Sequence, residues 1–302
     1  MATVSVIITT HNRPHLLPRA IESAFAAGND VEVVVVDDAS VDETAAVCRA
    51  FKDIRYVRLE INQGVAGARN VGLLQSSAEY ITLLDDDDVR LPGSLDLQLA
   101  RLRDEPNAAL IYGQALFTEG TDRQGRDRYP LVCPSGDVFW QLLPQNFIPC
   151  GSVVFRRSCL LSTGMFDRLI AGIDDWDLWI RLAALFPLAA LAEPVVTWRK
   201  PAPDSDQFSA RAVEIVAMST RQFRQRWLKL PRAAQAPRSV RRQVSRQFSQ
   251  NMASHLVWEA AQSLSYRKLM RASRCALAAL RFHSPGLARR ALHEFFARVG
   301  WV

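Results

Sequence analysis

Short apolar runs alternate with amphipathic stretches over the first 85 residues of the chain. Thr3–Thr10 (TVSVIITT) is β-branched and nearly continuous, the pattern of a buried strand. Leu17, Ile21, Ala24 and Phe25 then recur at helical spacing. That helix is expected to open near Pro14, which suits a first turn, and to stop at Gly28. Val31–Val36 (VEVVVV) is too apolar for a half-exposed strand; such runs belong to parallel sheets covered on both faces. Ser40 with Glu43 three residues on fits a capping box, which predicts a helix from about Val41 to Phe51. Ile54–Leu59 reads as a third strand, Val65–Leu74 as a helix and Tyr80–Leu84 as a fourth strand. Strands and helices alternating over short links predict an open α/β sheet.

Ala109–Tyr112 and Ser152–Phe155 read as two more strands, with the polar GTDRQGRDRYP between them expected to be a mobile loop. After Ser209 the period becomes helical. Helices are expected from Val213 to about Leu230, Ser239 to Ser263, Tyr266 to Leu280 and Pro285 to Val299, with Pro231 and Pro237 marking a break. A chain of 302 residues has room for two domains, and the change of period puts the boundary at 210: an α/β domain over 1–210 and a helical domain over 211–302.

Charge divides at the same place. Through residue 210 there are 19 Lys and Arg against 28 Asp and Glu; beyond it there are 18 against 3. One reading is a compositional shift between domains. The other is an acidic catalytic part joined to a basic part that meets an anionic surface such as a membrane. With 49% hydrophobic and 23% charged residues, the chain is neither disordered nor fibrous in composition. The five cysteines form no C-x-x-C pair, as expected of reduced thiols in a cytoplasmic protein. No signal peptide and no membrane-spanning run is expected.

In open α/β sheets, ligands bind beyond the carboxyl ends of the strands. Two of the predicted strands end in acid there: Val36 is followed by Asp37 and Asp38, and Leu84 by Asp85, Asp86, Asp87 and Asp88. Two like charges about 4 Å apart repel by roughly 4 kcal/mol at an effective dielectric near 20. A divalent cation relieves such crowding, and hard oxygen ligands suit Mg²⁺ or Mn²⁺ shared with a substrate phosphate.

VSVIITTHNRP, VVVVDDASVDET, NQGVAGARNVGL and YITLLDDDDVRLP, in this order and spacing, resemble the family 2 inverting glycosyltransferases of the GT-A fold. Gly164–Leu182 (GMFDRLIAGIDDWDLWIRL) resembles the acceptor-side block of that family. The resemblance covers about residues 3–200. It implies a Rossmann-like open mixed sheet flanked by helices, followed by a helical C-terminal domain. The implied reaction moves a sugar from a nucleotide diphosphate to an acceptor hydroxyl of a glycan or lipid-linked glycan. UDP is the expected base carrier, and Mn²⁺ or Mg²⁺ the expected cofactor.

The resemblance also implies residue roles. Thr9, Thr10 and His11 would line the base pocket, with Asp38 bonding base or ribose. Arg13 and Arg69 would reach the diphosphate; alternatively Arg13 is a solvated loop residue and Arg69 pairs with a nearby Asp. His11 stands equally for base contact or packing. In the D-x-D-like run, Asp87 matches the metal ligand, Asp86 or Asp85 would lie toward the ribose, and Asp88, the least constrained, is expected to point to solvent. Asp175 matches the general base, while Asp177 and Arg181 form an i, i+4 pair with a structural role. Trp179 and Phe147 belong to the core, and Trp176 is open between core and sugar stacking. Many relatives have a histidine after the base block, where this chain reads TWRKPAP; Arg199 or Lys200 would contact phosphate instead.

Two other classes compete. A sugar nucleotidyltransferase needs a glycine-rich loop after the first strand, and TTHNRPHLL has no glycine. A non-enzymatic module that binds a nucleotide sugar or an anionic surface would leave the acidic strand ends without a purpose. Nucleic acid is not an expected partner.

Overall fold

The structure, a computed structural model, describes residues 2–119, 123–199, 211–265 and 267–282. The chain folds as two compact units. The first comprises Met1–Phe139 and Asn146–Lys200, the second Trp140–Gln145 and Pro201–Val302. The chain thus enters the second unit twice, where sequence alone suggests one cut at 210.

The first unit is built on a mixed nine-stranded sheet flanked by helices. Strands β1 (Val4–Thr10), β2 (Val31–Asp37), β3 (Ile54–Arg58) and β4 (Tyr80–Asp85) run parallel in the order β3-β2-β1-β4. Their links carry α1 (Leu17–Ala26), α2 (Thr44–Ala50) and α3 (Gly64–Gln75). All seven residues of β1 are buried because both faces are covered. Val4, Val6 and Ile8 pack with Leu17, Ala20, Ile21 and Ala24 of α1 on one face. Val34 and Val36 pack with Ala68 of α3 on the other. Each buried Val, Leu or Ile among them stabilises the fold by roughly 1.5–3 kcal/mol.

The rest of the first unit follows as β5 (Val89–Arg90), α4 (Ser94–Asp104), β6 (Leu110–Glu119), β7 (Arg123–Tyr129), α5 (Phe139–Leu142), β8 (Val153–Arg156), α6 (Leu160–Thr163), α7 (Asp174–Leu185) and β9 (Leu188–Arg199). Of these, α5 lies mostly in the second unit. Strand β8 runs antiparallel to β4, β6 antiparallel to β8, and β9 parallel to β6.

Several expectations need correction. Helix α1 begins at Leu17, not near Pro14, with Pro18 in its first turn. Ser40 caps no helix. Its N–H bonds Asp37 Oδ1 at 2.8 Å and its Oγ accepts the Asn12 N–H at 2.9 Å, so it closes a loop and α2 starts only at Thr44. The polar stretch expected as a mobile loop holds β7, antiparallel to an extended β6; Gly120–Asp122 lie outside the described residues. Pairing rather than apolar content makes that strand, which is why its composition hid it.

Behind the acidic run, the fully buried Arg90 acts as a strut. It donates to Gln98 Oε1 at 2.6 Å, to Val153 O at 3.0 Å and to Thr82 Oγ1. One guanidinium thereby ties β5 to α4, β8 and β4 directly after the four aspartates.

In the second unit, α8 (Ala212–Gln225), α9 (Pro231–Ala234), α10 (Arg238–Ser265) and α11 (Leu269–Leu280) succeed one another. Phe223 stacks on Phe248 with centroids 4.0 Å apart. Asn251 Nδ2 donates to Pro144 O at 3.1 Å, which fastens the Trp140–Gln145 segment to α10. The helix expected over Pro285–Val299 lies outside the described residues.

Helix α3 lies so close to β1 that a methyl added at Gly72 would fall on the Ile7 side chain. Gly72→Ala should therefore cost about 1–3 kcal/mol by overpacking. Urea denaturation checks this, as a lower midpoint at unchanged slope.

Candidate active site

The parallel register brings the carboxyl ends of β1, β2 and β4 together. Thr9 lies level with Val36 and Asp85, and Thr10 with Asp37. Thr9, Thr10 and Asp38 are buried there, and His11 is exposed just beyond, its ring nitrogen 3.0 Å from Asn12 Nδ2. Exposure removes the packing alternative for His11. Asp38 takes the Gln63 N–H on Oδ1 at 2.6 Å, leaving Oδ2 for other partners. Asn12, which the sequence reading passed over, adopts φ 54° and accepts the Val41 N–H on Oδ1 at 2.9 Å. It staples the β1 loop to the β2 loop; Asn is one of the few residues that tolerates this backbone region, which was the available signal.

The neighbouring Asp37 has a structural job. It is fully buried, and Oδ1 accepts from Ser40 N while Oδ2 accepts from Tyr56 Oη at 2.7 Å.

The four aspartates at the end of β4 and just beyond it have different partners. Asp85, with its side chain 40% exposed, accepts from Arg69 Nη2 at 2.9 Å. Asp86 is buried between Thr10 Oγ1 at 2.7 Å and Arg13 Nη1 at 2.8 Å. Burial pushes its pKa up to about 6; Asp87 and Asp85 add repulsion, while Arg13 and Thr10 pull it down. Asp87 lies 3.4 Å from the same Arg13 nitrogen. Asp88 does not point to solvent as expected: it is buried and accepts the Arg199 N–H at 2.9 Å. Burial drives its pKa well above the usual carboxylate range. Arg13, expected either at a phosphate or in solvent, is partly exposed and already paired with Asp86 and Asp87.

Helix α7 delivers a second group of acids. Its first turn holds Asp174, Asp175 and Asp177, where the helix dipole favours negative charge. Asp177 pairs with Arg181 at 2.8 Å, the structural role expected of it. Trp179 is core, edge-on to Phe155, and Trp176 is buried as well. Phe147 is buried against Tyr112. Asp174 accepts from Arg69 Nη1 at 2.8 Å. Arg69 thus takes the pairing role, buried between Asp174 and Asp85 with Phe166 5.8 Å from its guanidinium. Asp175 carries a raised pKa, about 7, from burial first and then the adjacent Asp174 charge; Arg69 acts in the opposite direction. Cys150 sits among Arg69, Asp175, Asp85 and Asp174, its thiol held neutral by burial. No sequence pattern marked it, because its neighbours come from three separate stretches.

Arg13 pairs with Asp86 and Asp87, and Arg69 with Asp85 and Asp174, while Asp86 and Asp88 are held toward their protonated form. Among the described residues no three His, Cys, Asp or Glu side chains form a ready cage. A divalent cation at Asp87 would have to complete its shell with substrate phosphates and water. Arg199 is described through its backbone bond to Asp88, and Lys200 lies outside the described residues.

The sequence profile of glycosyl transferase family 2 matches residues 5–161. This chain belongs to glycosyl transferase family 2. Among family 2 relatives, an uncharacterized glycosyltransferase of Rickettsia bellii is 30% identical over 190 residues, covering 61% of this chain and 26% of that protein. The chain thus spans about a quarter of that relative's length. The UDP-Glc:alpha-D-GlcNAc-diphosphoundecaprenol beta-1,3-glucosyltransferase WfgD of Escherichia coli is 29% identical over 182 residues, covering 59% of this chain and 69% of WfgD. In fold, the chain is similar to Staphylococcus aureus TarS 1-349, solved in complex with UDP-GlcNAc: TM-score 0.55, 14% identity, 94% of this chain and 93% of that one. The expected GT-A-type architecture is thereby shown.

The raised pKa of Asp175 has a thermodynamic signature. A carboxyl that titrates near 3.8 when unfolded but near 7 when folded destabilises the native state progressively as pH rises through that window. Asp175→Asn should therefore raise Tm at pH 8 and change it little at pH 4, which calorimetry at the two pH values checks.

Proposed function

We propose that this family 2 chain transfers a sugar, with inversion at the anomeric carbon, from a UDP-sugar to a hydroxyl of a glycan or lipid-linked glycan in polysaccharide biosynthesis. The observation that carries this reading is the meeting, around Arg69, of two acid groups distant in sequence: the run after β4 and the first turn of α7. One group suits a nucleotide diphosphate, the other a hydroxyl to be deprotonated. UDP is the preferred carrier because WfgD is named for UDP-Glc and TarS was solved with UDP-GlcNAc.

In this reading Thr9, Thr10, His11 and Asp38 hold the uridine. Asp85 and Asp86 lie toward the ribose, and Arg13 turns to the diphosphate. Asp87 holds Mn²⁺ or Mg²⁺, which when bound offsets the charge of the departing diphosphate. Asp175 receives the acceptor proton, and its pKa near 7 lets it ionise at neutral pH while remaining basic enough to accept a proton. UDP should bind far more tightly with Mn²⁺ than with a chelator, and Asp87→Asn should remove that difference. Thermal shift with UDP in either condition reads this directly; equal shifts in both would reject the cation. Asp175→Asn should keep UDP binding and lower UDP release from UDP-glucose or UDP-GlcNAc roughly 10²–10⁴-fold, the usual worth of a general base.

We further propose that the basic second unit brings the enzyme to the cytoplasmic face of an anionic membrane, where a lipid-linked acceptor would lie. Among the described residues no helix is long and apolar enough to cross a bilayer. Arg238, Arg242 and Arg246 are exposed at successive turns of α10, and the latter two line a groove of about 530 Å³ with Ser239, Gln243, Gln247 and Gln250. Each basic side chain near such a surface contributes about 1 kcal/mol, within a Debye length of about 8 Å. The full chain should sediment with vesicles containing anionic lipid at low salt and release as salt rises. Replacing the three arginines by Glu should weaken binding at least tenfold; a chain indifferent to anionic vesicles would place this charge at a protein interface or in solvent.

A further inference from the structure

We propose that Arg69 is a positioning residue that sets the place and the charge state of Asp175 by clamping its neighbour Asp174 to Asp85. This rests on the reading of Asp175 as the general base.

The geometry is that of a fork with two tines. Nη1 donates to Asp174 Oδ2 at 2.8 Å and Nη2 to Asp85 Oδ1 at 2.9 Å. These carboxylates stand at the N-terminus of α7 and the end of β4, far apart in sequence, and one side chain spans the gap between them. Asp174 is the first residue of α7, and the residue before it provides no side-chain cap. The ion pair therefore does what a cap would otherwise do: it fixes where the helix begins. Asp175 is the next residue, its Oδ1 turned back onto the Trp176 N–H at 2.6 Å. Fixing Asp174 consequently fixes Asp175 to within one residue of a buried anchor. The anchor itself is held by the Phe166 ring, and the loop bearing Phe166 is pinned to α3 by paired bonds between Asn70 and the Phe166 backbone, at 2.9 and 3.0 Å.

A planar guanidinium can reach both carboxylates at once, whereas an ammonium is a single point charge on a shorter reach. The charged and titratable groups facing Asp175 are Asp174, Arg69, Asp85 and Cys150. Removing the positive one or the nearest negative one must move its ionisation in opposite directions.

The test uses the full chain with carbon-13 carboxyl-labelled aspartate, Asp175 being identified by the signal missing in Asp175→Asn. Its titration midpoint is followed by NMR in the parent protein, in Arg69→Gln and in Asp174→Asn, alongside UDP release from UDP-glucose and UDP-GlcNAc. The midpoint should rise by at least half a pH unit in Arg69→Gln and fall by at least as much in Asp174→Asn. UDP release should drop at least tenfold in both at the pH optimum of each, with UDP affinity changed less than threefold. Arg69→Lys should restore the midpoint partly but not the rate, since one amine cannot hold both carboxylates. Midpoints that stay put, or shift together, overturn the inference. If Arg69→Gln fails to fold, the nearly isosteric Asp174→Asn decides alone, a midpoint that does not fall being the overturning result. Undiminished UDP release in Asp175→Asn would instead reject the base assignment itself, leaving the clamp to be judged by the midpoints.

Discussion

Crowding of like charge is the constraint around which the first unit is organised. Asp85 ends β4 and three more aspartates follow it, two follow the apolar part of β2, and two more open α7. Placed together without compensation they would repel by several kcal/mol. The structure disposes of the problem residue by residue. Asp37 binds Ser40 N and a tyrosine hydroxyl, Asp88 a backbone N–H, Asp86 a threonine and an arginine, and Asp85 shares Arg69 with Asp174. Asp175 accepts the Trp176 N–H, and burial keeps its affinity for a proton high. The apolar strands beneath, closed by α1 and α3, supply the rigidity that lets this arrangement persist.

The parallel half of the fold was legible because its signals are local. The runs VSVIITT and VEVVVV cannot be half-exposed strands, and each is followed by an amphipathic stretch and then by acid. The second half was less legible. Strand β7 is polar and exists through its ladder with β6, and β9 holds a proline opposite Gln114 at an irregular register. Ser40 and Glu43 have the spacing of a capping box, yet a bond from residue 12 claims the serine. Local pattern loses to tertiary pairing in each case.

For the site, the residue types were legible and their partners were not. Asp88 was expected in solvent, but it is buried and bonds the Arg199 N–H of β9, some 110 positions later. Cys150 carries no motif and still lies among the central charges. Arg69 was open between substrate and ion pair; only the meeting of α3, β4 and α7 decides for the pair. Family membership supplies the class of chemistry, and the proposed division between donor and acceptor sides rests on the two separate acid groups that meet at Arg69.

The detour of Trp140–Gln145 into the second unit bears on how such a protein can be inherited and recombined. A helical appendage joined by one crossing could be exchanged between genes like a cassette. Here a short internal segment is lodged with the later helices and held by Asn251, so a graft that replaced everything beyond residue 200 would strand six residues inside the earlier unit. Diversification of the helical half must then proceed together with that insert. The two stretches should change in concert among descendants of this chain, even though more than fifty residues separate them.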